Sequence, residues 1–182
     1  MDRADIQKKY PEISAAANDL LGLLGPAFTN KSSGHVETDI AAAASLAGLS
    51  ILRGKGFDLR EFTPGSVLLS DLDTEMNAIW DFMMAAAGIL GLDPREGWDR
   101  EIPPAHKPLY SILEMTEKTE KGFLEVCRRH QLTTGYFPYV AVLAAIKLVY
   151  AANKMDLLDQ NVGKALTGHH VVAAAKTVPY PV

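Results

Sequence analysis

The stretch Phe137-Pro138-Tyr139-Val140-Ala141-Val142-Leu143-Ala144-Ala145-Ile146-Lys147-Leu148-Val149-Tyr150-Ala151-Ala152-Asn153-Lys154 decides the fold. It is apolar all round, and Pro138 is acceptable in a helix only if it lies in the first turn. It therefore reads as a buried central helix, which needs other helices to enclose it. Interrupted by Pro138 and Lys147, its apolar part falls short of the roughly 20 residues that span a bilayer. No membrane partner is expected.

Working outward, apolar residues three and four apart mark five further helices, for about six in all. Ile6, Tyr10, Ile13, Ala17, Leu20 and Leu24 share a face of the first, which Gly25-Pro26 should end. The second runs from about Val36 to Arg53. The third covers about Asp71 to Leu90, with Ser70 as its N-cap. The fourth, Leu109 to His130, is the clearest amphipathic helix, with Leu109, Ile112, Phe123 and Val126 on its inner face. Outside, Glu114–Lys118, Glu117–Lys121 and Glu125–Arg129 each set acid four residues before base, worth about 0.2–0.5 kcal/mol per pair. The sixth, Leu158 to Lys176, is weakened by Gly163 and Gly168. Ser66 to Leu69 could form one short β segment, but no partner strand is evident. The expected architecture is all-α, a compact bundle forming one domain over residues 1–182.

Runs of alanine at 15–17, 41–44, 85–87 and 173–175 have irregular spacing, so they are shared composition rather than a structural repeat. Small residues at Ala43 and Ala47, or Ala44 and Gly48, let helix backbones approach toward the short end of the roughly 8–10 Å range. The connection Asp93 to Lys107 holds Pro94, Pro103 and Pro104 around Trp98, and should pack down as an ordered surface loop.

The 182 residues carry a formal net charge of −4, with 48% apolar and 22% charged residues. Those are globular values, and the charge argues against a nucleic-acid partner, which calls for a basic stripe. The single cysteine, Cys127, rules out an internal disulfide and reads as a packing thiol. Met1 to Asp5 lack the apolar core of a signal peptide, so a cytoplasmic location is expected.

Candidate chemistry is sparse. His35, Glu37 and Asp39 open the second helix; Asp71, Asp73 and Glu75 open the third; His169 and His170 lie in the sixth. Together His35, Asp71, Asp73, His169 and His170 are a candidate divalent-metal set. None has a diagnostic spacing, and acids in a first helical turn are explained by the helix dipole. His169 follows the Leu158, Val162, Ala165 and Val172 line and reads as a core histidine. Glu114, Glu117 and Glu120 read as a solvated, self-paired face. Gly54-Lys55-Gly56 lacks the spacing of a phosphate loop. Thr116 and Thr119 lie on the inner face leading to His130, either lining a pocket or bonding back to helix carbonyls. Asn77 and Asp81 form a polar pair on the third helix, and a buried Asp81 would need Lys147 as partner.

Three functions follow, with the identity of any cofactor left open. The first is a helical interaction module acting as a homo-oligomer or on a protein partner, because three largely apolar helices exceed what one small bundle easily encloses. The second is a small amphipathic-ligand-binding protein, its pocket between the third, fourth and fifth helices and its polar contacts from Asn77, Asp81, Thr116, Thr119 and His130. The third is a metal-dependent hydrolase.

Overall fold

A computed structural model describes residues 3–28, 34–68 and 73–181, with only the backbone of Asp73. The fold is all-α: 72% helical, with seven helices and no strands among those residues. They are α1 (Arg3–Lys8), α2 (Tyr10–Ala27), α3 (Val36–Gly54), α4 (Asp73–Leu90), α5 (Ile112–Arg129), α6 (Phe137–Lys154) and α7 (Gln160–Ala175). The expected Ser70 cap lies outside the described residues.

The extra helix arises at Lys9. Pro11 has no N–H to donate to the preceding turn, so the expected first helix splits into α1 and α2 around that break. Pro26, by contrast, sits inside the last turn of α2 instead of ending it.

α3 and α6 form the centre. Thirteen of the nineteen residues of α3 and eleven of the eighteen of α6 are buried. α3 packs against α2, α5, α6 and α7, and α6 against α2, α4 and α7 as well. With its preceding turn, the apolar segment Thr134–Lys154 is long enough to cross a bilayer, longer than the sequence reading allowed, yet most of it is enclosed by the bundle. The enclosure is possible because the inner helices are thin. Ala41 to Ala44 and Ala47 are fully buried, and Gly48 lies directly against the backbone of α7. Gly163 and Gly168 serve the same purpose: an added Cβ would lie 2.8 Å from Val149 or 2.9 Å from the Trp80 ring. What these glycines cost in helix propensity they return as close approach.

α5 begins after Ser111, whose hydroxyl accepts from the Glu114 N–H at 3.3 Å while the Glu114 carboxylate accepts from the Ser111 N–H at 2.8 Å. This capping box leaves Leu109 outside the helix and 43% exposed, so Leu109 does not belong to the inner face. Met115, Thr119, Phe123, Val126 and Cys127 do. Burial raises the Cys127 thiol to about 12, in keeping with a packing role. The outer face is not self-paired throughout. Lys118 sits 5.8 Å over the Tyr110 ring, Arg129 reaches Asp19 at 3.6 Å, and Glu120 turns inward to Arg53.

The proline-rich connection packs down as expected. Trp98 is buried, its Nε1–H donating to the Pro94 carbonyl at 3.0 Å, and Gly97 (φ +93°) brings the backbone against Asn161. The short β segment does find a partner. Val67 bridges Thr177 antiparallel, with Leu68 N–H donating to the Lys176 carbonyl at 2.8 Å and Val178 N–H to the Ser66 carbonyl at 3.0 Å.

Candidate functional site

A cleft runs along the outer face of α7, between the packed-down connection and the Val67–Thr177 bridge. Its volume is about 440 Å³, and Val67, Trp80, Trp98, Arg100, His169 and Lys176 contribute its walls and rim. The two indoles meet edge to face, centroids 6.0 Å apart at 82°. The Trp80 ring and the Trp98 backbone both close on Gly168, where any side chain would strike the Trp98 carbonyl at 2.8 Å and the Trp80 ring at 2.9 Å. Behind them Lys164 is fully buried, its ammonium donating to the Asp93 carbonyl at 2.8 Å and lying 5.9 Å from the Trp98 ring. Burial lowers the Lys164 pKa, against the pull of Asp93, Asp159 and Glu96. Nothing in the sequence singled this lysine out, because lysine in a helix normally faces solvent.

Beyond Asp99, Arg100 and His169 the cleft continues into a second concavity of about 650 Å³, bounded by Ile102, Lys107, Pro108 and His170. His169 is exposed and His170 buried, the reverse of the expected register. The inner seam of α7 follows Gly163, Leu166, Thr167, His170, Val171 and Ala174, with Gly163 against Val149 of α6 and the Val171–Ala175 end against Gly48 of α3. His170 Nδ1 lies 2.9 Å from the Leu166 carbonyl, which can only accept, so Nδ1 carries the proton. Burial pushes its pKa down to about 4, with smaller opposing help from that hydrogen bond.

The expected ligand-binding residues do not converge. Asn77 and Asp81 are exposed on α4, which packs on α6. The Asp81–Lys147 pairing is not made: the Lys147 ammonium donates to Ser14 Oγ at 3.0 Å and Asn18 Oδ1 at 2.7 Å on α2. Thr116 and Thr119 are buried on α5 and bond back to Ile112 and Met115 carbonyls at 2.9 and 2.6 Å. His130, at the end of α5, meets Asp19 at 3.0 Å. A hollow of about 240 Å³ lies between α3, α5 and the start of α6, where Arg53 and Glu120 face Leu46, Phe123 and Phe137, and one of about 550 Å³ lies between α3, α4 and the start of α6; none of the five expected residues lines either.

The candidate metal ligands are similarly dispersed. Asp71 lies outside the described residues, as does the Asp73 side chain. His35 caps α3, its Nδ1 3.3 Å from the Thr38 amide and 3.6 Å from Glu37. Glu37 also meets His106 at 2.9 Å, a partner from the proline-rich connection that sequence spacing could not reveal. Burial opposes the Glu37 charge, but the His106 bond and both imidazoles bring its pKa net below the ordinary value. Burial raises Asp39 to about 6 despite His35 nearby. Among the described residues no three His, Cys, Asp or Glu side chains stand together as a metal site.

Exposed apolar side chains concentrate in one stretch of the chain. Eight large ones are exposed among the described residues: Phe57, Phe62, Val67, Ile89, Leu109, Met155, Leu157 and Tyr180. Three of them occupy the 57–68 segment, and Tyr180 lies on the tail that bridges to it. Comparison with protein-family models, curated proteins and solved structures finds no match.

Proposed function

We propose that the chain is a helical interaction module that docks through the surface made by the 57–68 segment and the C-terminal tail. A second copy of the chain is the first expected occupant and another protein the alternative. The supporting observation is the grouping of Phe57, Phe62, Val67 and Tyr180 on two segments joined by the Val67–Thr177 bridge. Scattered single apolar residues are ordinary on a protein surface, whereas four on two bridged segments outside the helices favour an interface there. The apolar helices do not supply the argument, since α3 and α6 are enclosed.

The test is the solution mass of the chain by light scattering, alongside a Phe57→Ser/Phe62→Ser/Tyr180→Ser variant. Self-association predicts a mass above 19.7 kDa that the variant returns to that value. A partner-binding module predicts a monomer in which the apolar dye bis-ANS binds the native chain but not the variant. A monomer whose dye binding ignores the three substitutions would overturn the proposal.

A further inference from the structure

We propose that the α7 cleft is a binding site for a small aromatic carboxylate. The inference is independent of the docking surface, with which it shares only Val67. Its walls are apolar and aromatic, from Val67, Trp80, Trp98 and Val172, in a volume of about 440 Å³ that suits a bicyclic ligand. An aromatic ring gains there from edge or offset contacts with the indoles. The rim sets the charge. Arg100 and Lys176 stand on the rim against Asp99, while the buried Lys164 ammonium behind Trp98 is balanced by Asp93, Asp159 and Glu96. Arg100 touches Glu96 only at 3.7 Å and is 57% exposed, which leaves its guanidinium able to fork onto a carboxylate. Lys176 is exposed at the end of α7, and the exposed His169 also lines the cleft.

The floor is built rather than incidental. Gly168 admits no side chain against the Trp80 ring and the Trp98 backbone, the Trp98 indole is anchored to the Pro94 carbonyl, and the Lys164–Asp93 bond ties the connection to α7. A ligand therefore meets walls whose position is set before it arrives, which lowers the ordering cost of binding.

The chain has two tryptophans, and both line this cleft, so the two indole N–H signals of ¹⁵N-labelled protein report on it directly. The probe is 2-naphthoate, with uncharged 2-naphthamide of the same shape as comparator. Saturable shifts of both indole signals are expected with the acid, and about tenfold weaker binding of the amide, the scale of one charge-assisted contact. Arg100→Met/Lys176→Met should weaken the acid about tenfold, leave the amide unchanged and preserve the free-state indole positions. Equal affinity for acid and amide, no saturable shift with either, or a double variant that binds the acid normally would each overturn the assignment.

Discussion

Gly48 faces Val171 with no room for a side chain: a methyl group on its Cα would collide with the Val171 carbonyl oxygen and lie 2.6 Å from the Ala175 amide nitrogen. Both obstacles are backbone, so neither can rotate away. The Gly48→Ala chain must separate α3 from α7 along the most extensive helix contact in the bundle. Destabilisation of about 3 kcal/mol is expected, a loss of roughly 6–12 °C in Tm for a chain of this size. Gly22 on α2 is the control, exposed and with nothing near an added Cβ. Gly22→Ala should raise stability by about 0.5–1 kcal/mol, because alanine is the better helix former. Thermal unfolding of the two variants separates helix propensity from packing.

Much of this architecture was legible in the sequence. The apolar run from Phe137, the alanine-and-glycine face around Gly48 and the packed-down Trp98 all follow from local pattern and simple sterics. The site was not legible, because its parts come from four separate segments. Val67, Trp80, Trp98 and His169 share a cleft only after α4 and α7 close on the connection between them. His106 reaches Glu37 across 69 positions, and Glu120 reaches Arg53 across 67. The registers that failed were those where a helix has several plausible inner lines. On α7, small residues cover so much of the surface that apolar spacing could not decide between His169 and His170. The threonines of α5 lie on the predicted face, but their hydroxyls are spent on their own helix.

The Arg53–Glu120 pair is the main charged link between α3 and α5. Arg53 Nη2 donates to Glu120 Oε2 at 2.9 Å, and a second bond from Nε completes the fork. The carboxylate is 11% exposed and the arginine 32%, so a broken pair leaves one charge poorly solvated. Arg53→Met or Glu120→Leu alone should cost about 1–3 kcal/mol, below the fully buried range because the arginine retains water. The double variant should recover most of that loss, since the apolar lining from Leu46, Phe123 and Phe137 accepts two apolar side chains. A denaturant double-mutant cycle measures the coupling. Additive losses would mean the pair is not a unit.

Two helices end on non-glycine residues in the left-handed region, Gln131 at φ 53° after α5 and Asp156 at φ 54° after α6. Both ends carry the paired closing bonds of a Schellman turn, with Leu132 N–H donating to Cys127 and Leu157 N–H to Ala152. The third such end, after α4, uses Gly91 at φ 82°. A side chain costs roughly 1–2 kcal/mol in that conformation, while glycine gives back part of the gain through its freer unfolded chain. Gln131→Gly and Asp156→Gly should each stabilise by about 0.5–1 kcal/mol. Gln131→Val, β-branched at the same φ, should destabilise. Chemical denaturation midpoints with unchanged slope provide the check.

His170 and Asp39 pull stability in opposite directions over the same pH interval. The His170 pKa falls from 6.5 to about 4 on folding, so between those values the unfolded chain holds a proton that the folded chain refuses. Stability contributed by the neutral imidazole is complete above pH 6.5 and is lost as pH drops, by at most about 1.4 kcal/mol per pH unit. Asp39 rises from 3.8 to about 6, so across its interval the folded chain keeps a proton that the unfolded chain has released. Its contribution grows as pH drops. Glu37, held below 4.5, begins to lose its own contribution only at still lower pH, which makes the span from about pH 5 to pH 6 the clean window. There the native chain should show a nearly level stability profile. Asp39→Asn should expose a loss on acidification, and His170→Asn, which retains a donor for the Leu166 carbonyl, should expose a gain. Urea unfolding at three pH values in that window reads both slopes, and parallel profiles for all three chains would show that neither group titrates as its burial requires.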